Sequence, residues 1–357
     1  MKKDMLNNVH ISKEQVLITP KKLKKHFPLT KNQINQISDS RKTISNIISG
    51  NDYRLLIVCG PCSIHDPKSA IEYALLLKRI ANELKDQIYV VMRAYFEKPR
   101  TTVGWKGLIN DPFINNSFDM EKGLHIARKL LINIINLGLP LATETLDPNN
   151  PQYLGDLFSW SAIGARTTES QTHREMASGL STPVGFKNGT DGNLETAINA
   201  MRAAAMPHRF VGINQSGQVS LLQTDGNPDC HIILRGGKTP NYQPEDIKKC
   251  EHAMISSGLI PKLMIDCSHG NSNKNFFLQK KVAKSIVNQI NHGNTSIIGL
   301  MLESHIHEGN QSSEQPFEKM KYGISITDPC INWKTTEKLL YEIYKNVKNI
   351  LSLRFLK

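Results

Sequence analysis

The 357-residue sequence predicts a (β/α)8 barrel with an N-terminal extension and an inserted β-hairpin. Eight short apolar runs recur over roughly 250 residues with helix-period segments between them, which implies βα units around a parallel sheet buried on both faces. The residues just after these runs are polar or charged, as expected where a barrel keeps its chemistry. An open, doubly wound sheet is the competing architecture. It calls for a glycine-rich dinucleotide loop after the first strand, where this chain reads CGPCSIHDP.

Taken in order, residues 1–50 are polar and form the extension, with turn signals at Pro20 and Pro28, and 51–357 form the barrel. The apolar runs are 55–59 (LLIVC), 88–92 (IYVVM), 139–143 (LPLAT), 161–165 (SAIGA), 183–186 (PVGF), 231–234 (HIIL), 262–265 (KLMI) and 296–302, within the string TSIIGLML. Segments 68–86 and 118–137 carry apolar residues at three- and four-residue intervals and read as amphipathic helices. The fourth and fifth runs are close, but residues 167–180 hold one short helix. In 209–224 (RFVGINQSGQVSLLQT), strand-like residues flank Ser216-Gly217, a hairpin turn signal.

Composition bounds the function. Lys+Arg number 44 and Asp+Glu 32, so 44 − 32 gives a formal net charge of +12. At 39% hydrophobic residues plus 23 Gly, the composition is that of a globular chain and excludes a largely disordered one. No run of about 18 apolar residues is present, which argues against a membrane partner. The N-terminus has two lysines but Asp4 and no apolar stretch follow, so no signal peptide is expected. Six cysteines are too few for a secreted disulfide framework, and a cytoplasmic protein is expected. The basic residues are scattered, with small clusters at Lys21–Lys25 and Lys338–Lys348 and no interleaved aromatics. Charge alone supports a nucleic-acid partner, and none is expected.

The strand ends carry the chemistry. They hold Cys62 and His65 after the first run, Arg93, Lys98 and Arg100 after the second, Glu144 after the third and Arg166 after the fourth. Lys187 follows the fifth, Arg235 and Lys238 the sixth, Asp266 and His269 the seventh, Glu303 and His305 the eighth. So many cations around one mouth repel one another unless anionic groups occupy it, which points to a phosphorylated substrate. A softer subset, Cys62, His269, Glu303 and Asp328, is a mixed donor set of the kind that suits a divalent transition metal, although the residues lie far apart in sequence. Cys59–Cys62 spell CGPC, a redox dithiol sequence, but a helix should start only at Pro67, so no depressed thiol pKa is expected. Lys187 suits either a Schiff base or a fixed phosphate contact, and its position leaves both open.

The strings GPCSIHDP (60–67), EKPRTTVGWKGL (97–108), GARTTES (164–170), VGFKNGTDG (184–192), HIILRGG (231–237), IDCSHGN (265–271) and ESHIHEGNQ (303–311) resemble the class I microbial, amino-acid-regulated 3-deoxy-D-arabino-heptulosonate-7-phosphate (DAHP) synthases. The resemblance runs from the NNVHI segment to TDPCINW at 327–333. It implies a TIM barrel that condenses phosphoenolpyruvate with erythrose 4-phosphate and water, giving DAHP and phosphate at the first committed step of the shikimate pathway. It implies one divalent metal per subunit (Mn, Fe or Co) on Cys62, His269, Glu303 and Asp328. Phosphoenolpyruvate then falls to Arg93, Lys98, Glu144, Arg166, Lys187 and Arg235, and erythrose 4-phosphate to Lys98, Arg100, Thr101 and Asp328. Lys98 and His269 are the implied proton-transfer groups, and the Schiff-base reading of Lys187 gives way. A related synthase acting on another aldose phosphate, such as arabinose 5-phosphate, is the alternative that the KPRTTVGWKG loop argues against.

Two further strings, KDMLNNVHI and residues 197–224, look most like the tyrosine-inhibited form of enteric bacteria. The resemblance implies a homo-oligomer (dimer or tetramer) with an effector pocket beside the hairpin, closed by a neighbour's N-terminal arm, and with Asn8, Gln152, Ser181 and Phe210 at it.

Overall fold

The computed structural model describes residues 6–355. The strands are β1 (Leu55–Gly60), β2 (Ile88–Arg93), β3 (Leu141–Glu144), β4 (Trp160–Ile163), β5 (Val184–Lys187), β6 (Arg209–Ile213), β7 (Val219–Gln223), β8 (Cys230–Leu234), β9 (Leu263–Asp266) and β10 (Ile297–Glu303). The helices are α1 (Pro20–His26), α2 (Lys31–Ser49), α3 (Pro67–Glu83), α4 (Met120–Asn136), α5 (Asn150–Leu154), α6 (Gln171–Ser178), α7 (Glu195–Ala204), α8 (Pro244–Ser256), α9 (Gln279–Asn291) and α10 (Trp333–Val347). Eight strands close in the order β1-β10-β9-β8-β5-β4-β3-β2, and every pairing in the barrel is parallel. Each apolar run becomes one of these strands, with bounds shifted by at most two residues.

Strand side chains alternate, so each barrel strand feeds two cores. Leu56, Val58, Val91, Ala142, Trp160, Ala162, Ile233, Met264 and Met301 form the interior cluster. Their neighbours Leu55, Ile57, Met92, Leu141, Phe186, Ile232 and Ile265 belong to the outer layer packed under the helices. The interior set includes Ile44, Ile47 and Ile48 of α2, so that helix stops the N-terminal end of the barrel. Arg41 of α2 fixes it there by donating to the carbonyls of Phe158 and Gly155, just ahead of β4.

Local chemistry explains the boundaries. Pro20 does not make the expected turn: it stands in the first turn of α1, where its missing N–H costs nothing, and Thr19 caps that helix. Thr30 and Gln33 form a capping box at the start of α2, and Gly50, at φ 87°, ends it. Asp66 accepts from the N–H groups of Lys68 and Ser69, so α3 begins at Pro67, after the CGPC string. Cys59 is fully buried with its sulfur 3.2 Å from the Tyr73 hydroxyl, and all six cysteines are free thiols.

The β6–β7 hairpin turns at Ser216-Gly217, where Asn214 Oδ1 accepts from the N–H groups of Ser216 and Gln218 and Gly217 takes φ 76°. Its tip is tied to the extension, because Lys21 N–H donates to the Gln215 carbonyl at 2.8 Å. Its cross-strand pairs leave Val211, Val219 and Leu221 on one exposed face. Among the described residues no helix is long and apolar enough to cross a membrane. Of the segments 1–50 and 51–357, residues 1–5 and 356–357 lie outside the described residues.

Candidate active site

The same alternation that puts Val91, Ala142, Ile233, Met264 and Met301 inside the barrel places Arg93, Glu144, Arg235, Asp266 and Glu303 two residues on, at the C-terminal mouth. Lys187 follows Gly185 in the same way. Glycine makes the room: a Cβ at Gly164 would overlap the Glu144 carboxylate, and one at Gly60 would press on Arg93.

Arg93 is fully buried. It donates to Glu303 Oε1 at 3.1 Å and to the carbonyls of Pro61 and Cys62, with its guanidinium 3.9 Å from the centre of the Tyr95 ring. Lys98 Nζ donates to the Cys62 carbonyl at 3.1 Å and sits 3.3 Å from the Cys62 sulfur. Although burial alone would lower its pKa, Cys62, Glu144 and Glu303 together raise it, which keeps Lys98 a cation. Lys187 Nζ is 3.2 Å from Asp266 and 4.0 Å from Glu144. Arg235 lies half-buried with one N–H on the Gly236 carbonyl. Arg100, Thr101 and Arg166 line an exposed shoulder, where Arg166 Nε donates to Thr101 Oγ1 at 3.1 Å.

The softer set also converges. One donor atom each from Cys62, Glu303 and Asp328 lies within 4.8 Å of the others. His269 Nε2 is 3.7 Å from both Glu303 Oε1 and Asp328 Oδ2. The opposite ring nitrogen, Nδ1, is 2.8 Å from Asp266 Oδ2, which turns Nε2 toward the cluster as in carboxylate–histidine–metal arrangements. His269 holds φ 53°, a strained backbone for a non-glycine residue and one that recurs at functional sites. A thiol, an imidazole and two carboxylates around one point suit a borderline divalent cation, so the residues present fit a resident metal. Burial, followed by Glu303, pushes the Cys62 thiol up to about 11. Asp328 is held below the usual carboxylate range because His269 and Lys98 outweigh its desolvation.

Some residues at the mouth escape a reading of strand ends alone. Tyr95 is fully buried, and its hydroxyl has no protein partner. Its only signal in the sequence is its place two residues beyond Arg93. Gln279 of α9 clamps Glu303 through both backbone groups at 2.9 Å, and nothing in the sequence marks it. Glu97 is buried beside Lys98, and desolvation pushes its pKa up to about 8.

Of the expected effector residues, Gln152 and Ser181 line a cavity of about 290 Å³ between the hairpin and the β3–β4 side of the barrel, which Glu97 also reaches. Gln215, from the hairpin tip, closes one wall through a 2.6 Å hydrogen bond to Gln152. Phe210, half-buried on the hairpin, and Asn8, exposed in the N-terminal segment, are not among the lining residues.

Comparison with known proteins follows the same outline. The DAHP synthetase I family matches residues 26–341. The chain is 70% identical over 354 residues to the "Phospho-2-dehydro-3-deoxyheptonate aldolase, Tyr-sensitive" of Escherichia coli (strain K12), covering 99% of each chain. It is 53% identical over 342 residues to the Phe-sensitive enzyme of the same strain, covering 96% of this chain and 97% of that one. A solved phospho-2-dehydro-3-deoxyheptonate aldolase from Francisella tularensis SCHU S4 superposes with a TM-score of 0.92 at 47% identity, covering 95% of this chain and 98% of that one.

Proposed function

The chain belongs to the DAHP synthetase I family, and from that premise we propose how its residues divide the work of the reaction. It condenses phosphoenolpyruvate with erythrose 4-phosphate and water to give DAHP and inorganic phosphate, the first step of aromatic amino acid biosynthesis. The observation that carries the reading is a single mouth where Cys62, His269, Glu303 and Asp328 are ringed by Arg93, Lys98 and Lys187.

Arg93, Lys98, Arg166, Lys187 and Arg235 hold the phosphate and carboxylate of phosphoenolpyruvate, with Glu144 balancing Lys187. Lys98, Arg100, Thr101 and Asp328 take erythrose 4-phosphate and bring its aldehyde against carbon 3 of phosphoenolpyruvate. As the new C–C bond forms, the Lys98 ammonium delivers a proton to the developing alkoxide. Water adds at carbon 2, and the tetrahedral intermediate expels phosphate through C–O cleavage. His269 relays protons from its place beside Asp266 and Asp328. Cys62, His269, Glu303 and Asp328 would hold a divalent ion, with Mn, Fe or Co suited to the donors, and it supplies Lewis acidity at an oxygen in the site.

Tyrosine is the proposed inhibitor, supported by the higher identity to a Tyr-sensitive than to a Phe-sensitive relative. Gln152 and Ser181 bind it in the cavity, while an arm carrying Asn8 from a neighbouring subunit closes over it beside Phe210 of the hairpin. Residues 1–50 serve assembly and regulation, and 51–357 catalysis. The bare hairpin face of Val211, Val219 and Leu221 supports a homo-oligomer. The buried, unpaired cysteines suit a cytoplasmic location.

The test is a coupled assay of phosphoenolpyruvate loss with erythrose 4-phosphate or arabinose 5-phosphate as acceptor. Loss is expected with the four-carbon sugar, and a preference for the pentose phosphate would assign the chain to a different synthase.

A further inference from the structure

We propose that Asp266 is a positioning residue that couples metal binding to phosphoenolpyruvate binding, through one carboxylate shared by His269 and Lys187. The proposal rests on the metal and substrate assignments above and deepens them.

Asp266 ends β9 and is fully buried. Its Oδ1 is fixed by Ser268, which donates from N–H at 3.0 Å and from the hydroxyl at 2.6 Å. Its Oδ2 lies 2.8 Å from His269 Nδ1 and 3.2 Å from Lys187 Nζ. Neither neighbour meets Oδ2 with good hydrogen-bond alignment, although both are within ion-pair distance. The Ser268 hydroxyl, 2.8 Å from His269 Nδ1, offers the imidazole a second partner. This carboxylate is therefore divided between two claimants and committed to neither. Desolvation would raise its pKa, yet His269 and Lys187 hold it well below the usual carboxylate range, so it stays an anion.

The two claimants serve different ligands. A cation at His269 Nε2 draws charge from the imidazole and pulls Oδ2 toward Nδ1, because a ligating histidine binds harder when its other nitrogen faces a carboxylate. Lys187 is then released toward an incoming phosphate or carboxylate. In the other direction, an anion that occupies Lys187 returns the Asp266 charge to His269 and strengthens it as a ligand. Each ligand tightens the other by the same factor, as linkage requires. Arg93 on Glu303 and Lys98 on Cys62 provide parallel links, but those run through the metal donors themselves. Asp266 is neither one of the assigned metal donors nor one of the assigned phosphoenolpyruvate contacts, which makes it the place to alter the coupling while the donors stay intact.

The experiment titrates metal-free protein with Mn2+, following free Mn2+ by electron paramagnetic resonance, with and without saturating phosphoenolpyruvate and with no erythrose 4-phosphate. In the parent, phosphoenolpyruvate should tighten Mn2+ binding by roughly fivefold or more, within the usual range of such couplings. Asp266→Asn, which keeps the shape and removes the charge, should cut that tightening by roughly threefold or more. Ser268→Ala, which removes the hydroxyl donor to Oδ1 and leaves the backbone N–H, should give an intermediate value and carries the test alone if Asp266→Asn does not fold. A merely structural aspartate gives a variant with weaker Mn2+ binding but the parent's full tightening, and that result overturns the proposal. So does unchanged tightening in Ser268→Ala should it be the one folded variant, or a parent that binds Mn2+ equally with and without phosphoenolpyruvate. A parent that binds no Mn2+ at all overturns the metal assignment beneath it.

Discussion

Arg235 and Arg166 illustrate how burial sets the worth of a charge at the mouth. Arg235 is half-buried with one N–H on a carbonyl, leaving the rest of its fork for an anion. Truncating a desolvated charge partner costs roughly 2–5 kcal/mol, so Arg235→Ala should lower kcat/KM for phosphoenolpyruvate by that amount. Arg166 is exposed and screened by water, so Arg166→Ala should cost less. Equal losses in the two variants, read from steady-state kinetics, would contradict this ranking. His231 shows burial acting on stability. It is fully buried inside the barrel, accepts a hydrogen bond from the Trp160 indole at 3.2 Å, and is pushed down to about 3 by desolvation. Between that value and 6.5 the unfolded chain binds a proton that the folded chain refuses. Stability is therefore complete above pH 6.5 and falls as the pH drops through this window. At about 1.4 kcal/mol per unit, the fall by pH 4.5 is on the order of 2–3 kcal/mol. Urea unfolding at pH 7 and 4.5 should show His231→Gln losing about that much less than the parent, whereas identical losses would rule His231 out as the cause.

At the scale of elements, α2 closes the bottom of the barrel while the chemistry sits at the top. Ile47 is 2% exposed in the interior cluster, and Ile47→Ala should cost roughly 2–5 kcal/mol of stability. Because α2 lies far from the mouth, KM for both substrates should hold below the melting range. Thermal melts and kinetics on one sample check this, and a raised KM with an unchanged Tm would count against it. The eight strands were legible because runs such as LLIVC and IYVVM are too short for helices and too apolar for loops. Ser216-Gly217 marked the hairpin for the same local reason. Pro20 misled as a turn signal because proline suits a helix's first turn equally well, and the cap at Thr19 decides between them. Asp266, Tyr95 and Gln279 were less legible. Asp266 stood in the row of strand-end residues, but its sharing between Lys187 and His269 depends on a closed barrel that brings β5 beside β8 and β8 beside β9. Gln279 reaches Glu303 from a helix 24 positions away.

In the whole molecule, the active-site mouth and the proposed effector cavity are neighbouring volumes on one frame. The cavity holding Gln152 and Ser181 is bounded by the hairpin on one side and reaches Glu97, next to Lys98, on the other. An effector that orders the hairpin and arm shifts the mouth only through unequal binding to two states. Millimolar tyrosine should accordingly inhibit more strongly than phenylalanine or tryptophan at saturating substrate. Removing residues 1–12 should weaken that inhibition while sparing the uninhibited rate. Stronger inhibition by phenylalanine would overturn the effector assignment and leave the catalytic one standing. The proposed chemistry depends on a cluster of Cys62, His269, Glu303 and Asp328 serving a mouth built for two phosphorylated substrates. Phosphate release from phosphoenolpyruvate plus erythrose 4-phosphate, measured before chelation, after it and after Mn2+ is restored, tests this most directly. Release should need both substrates, vanish on chelation, return with Mn2+ and fail to return in Cys62→Ser. Undiminished release after exhaustive chelation would contradict it.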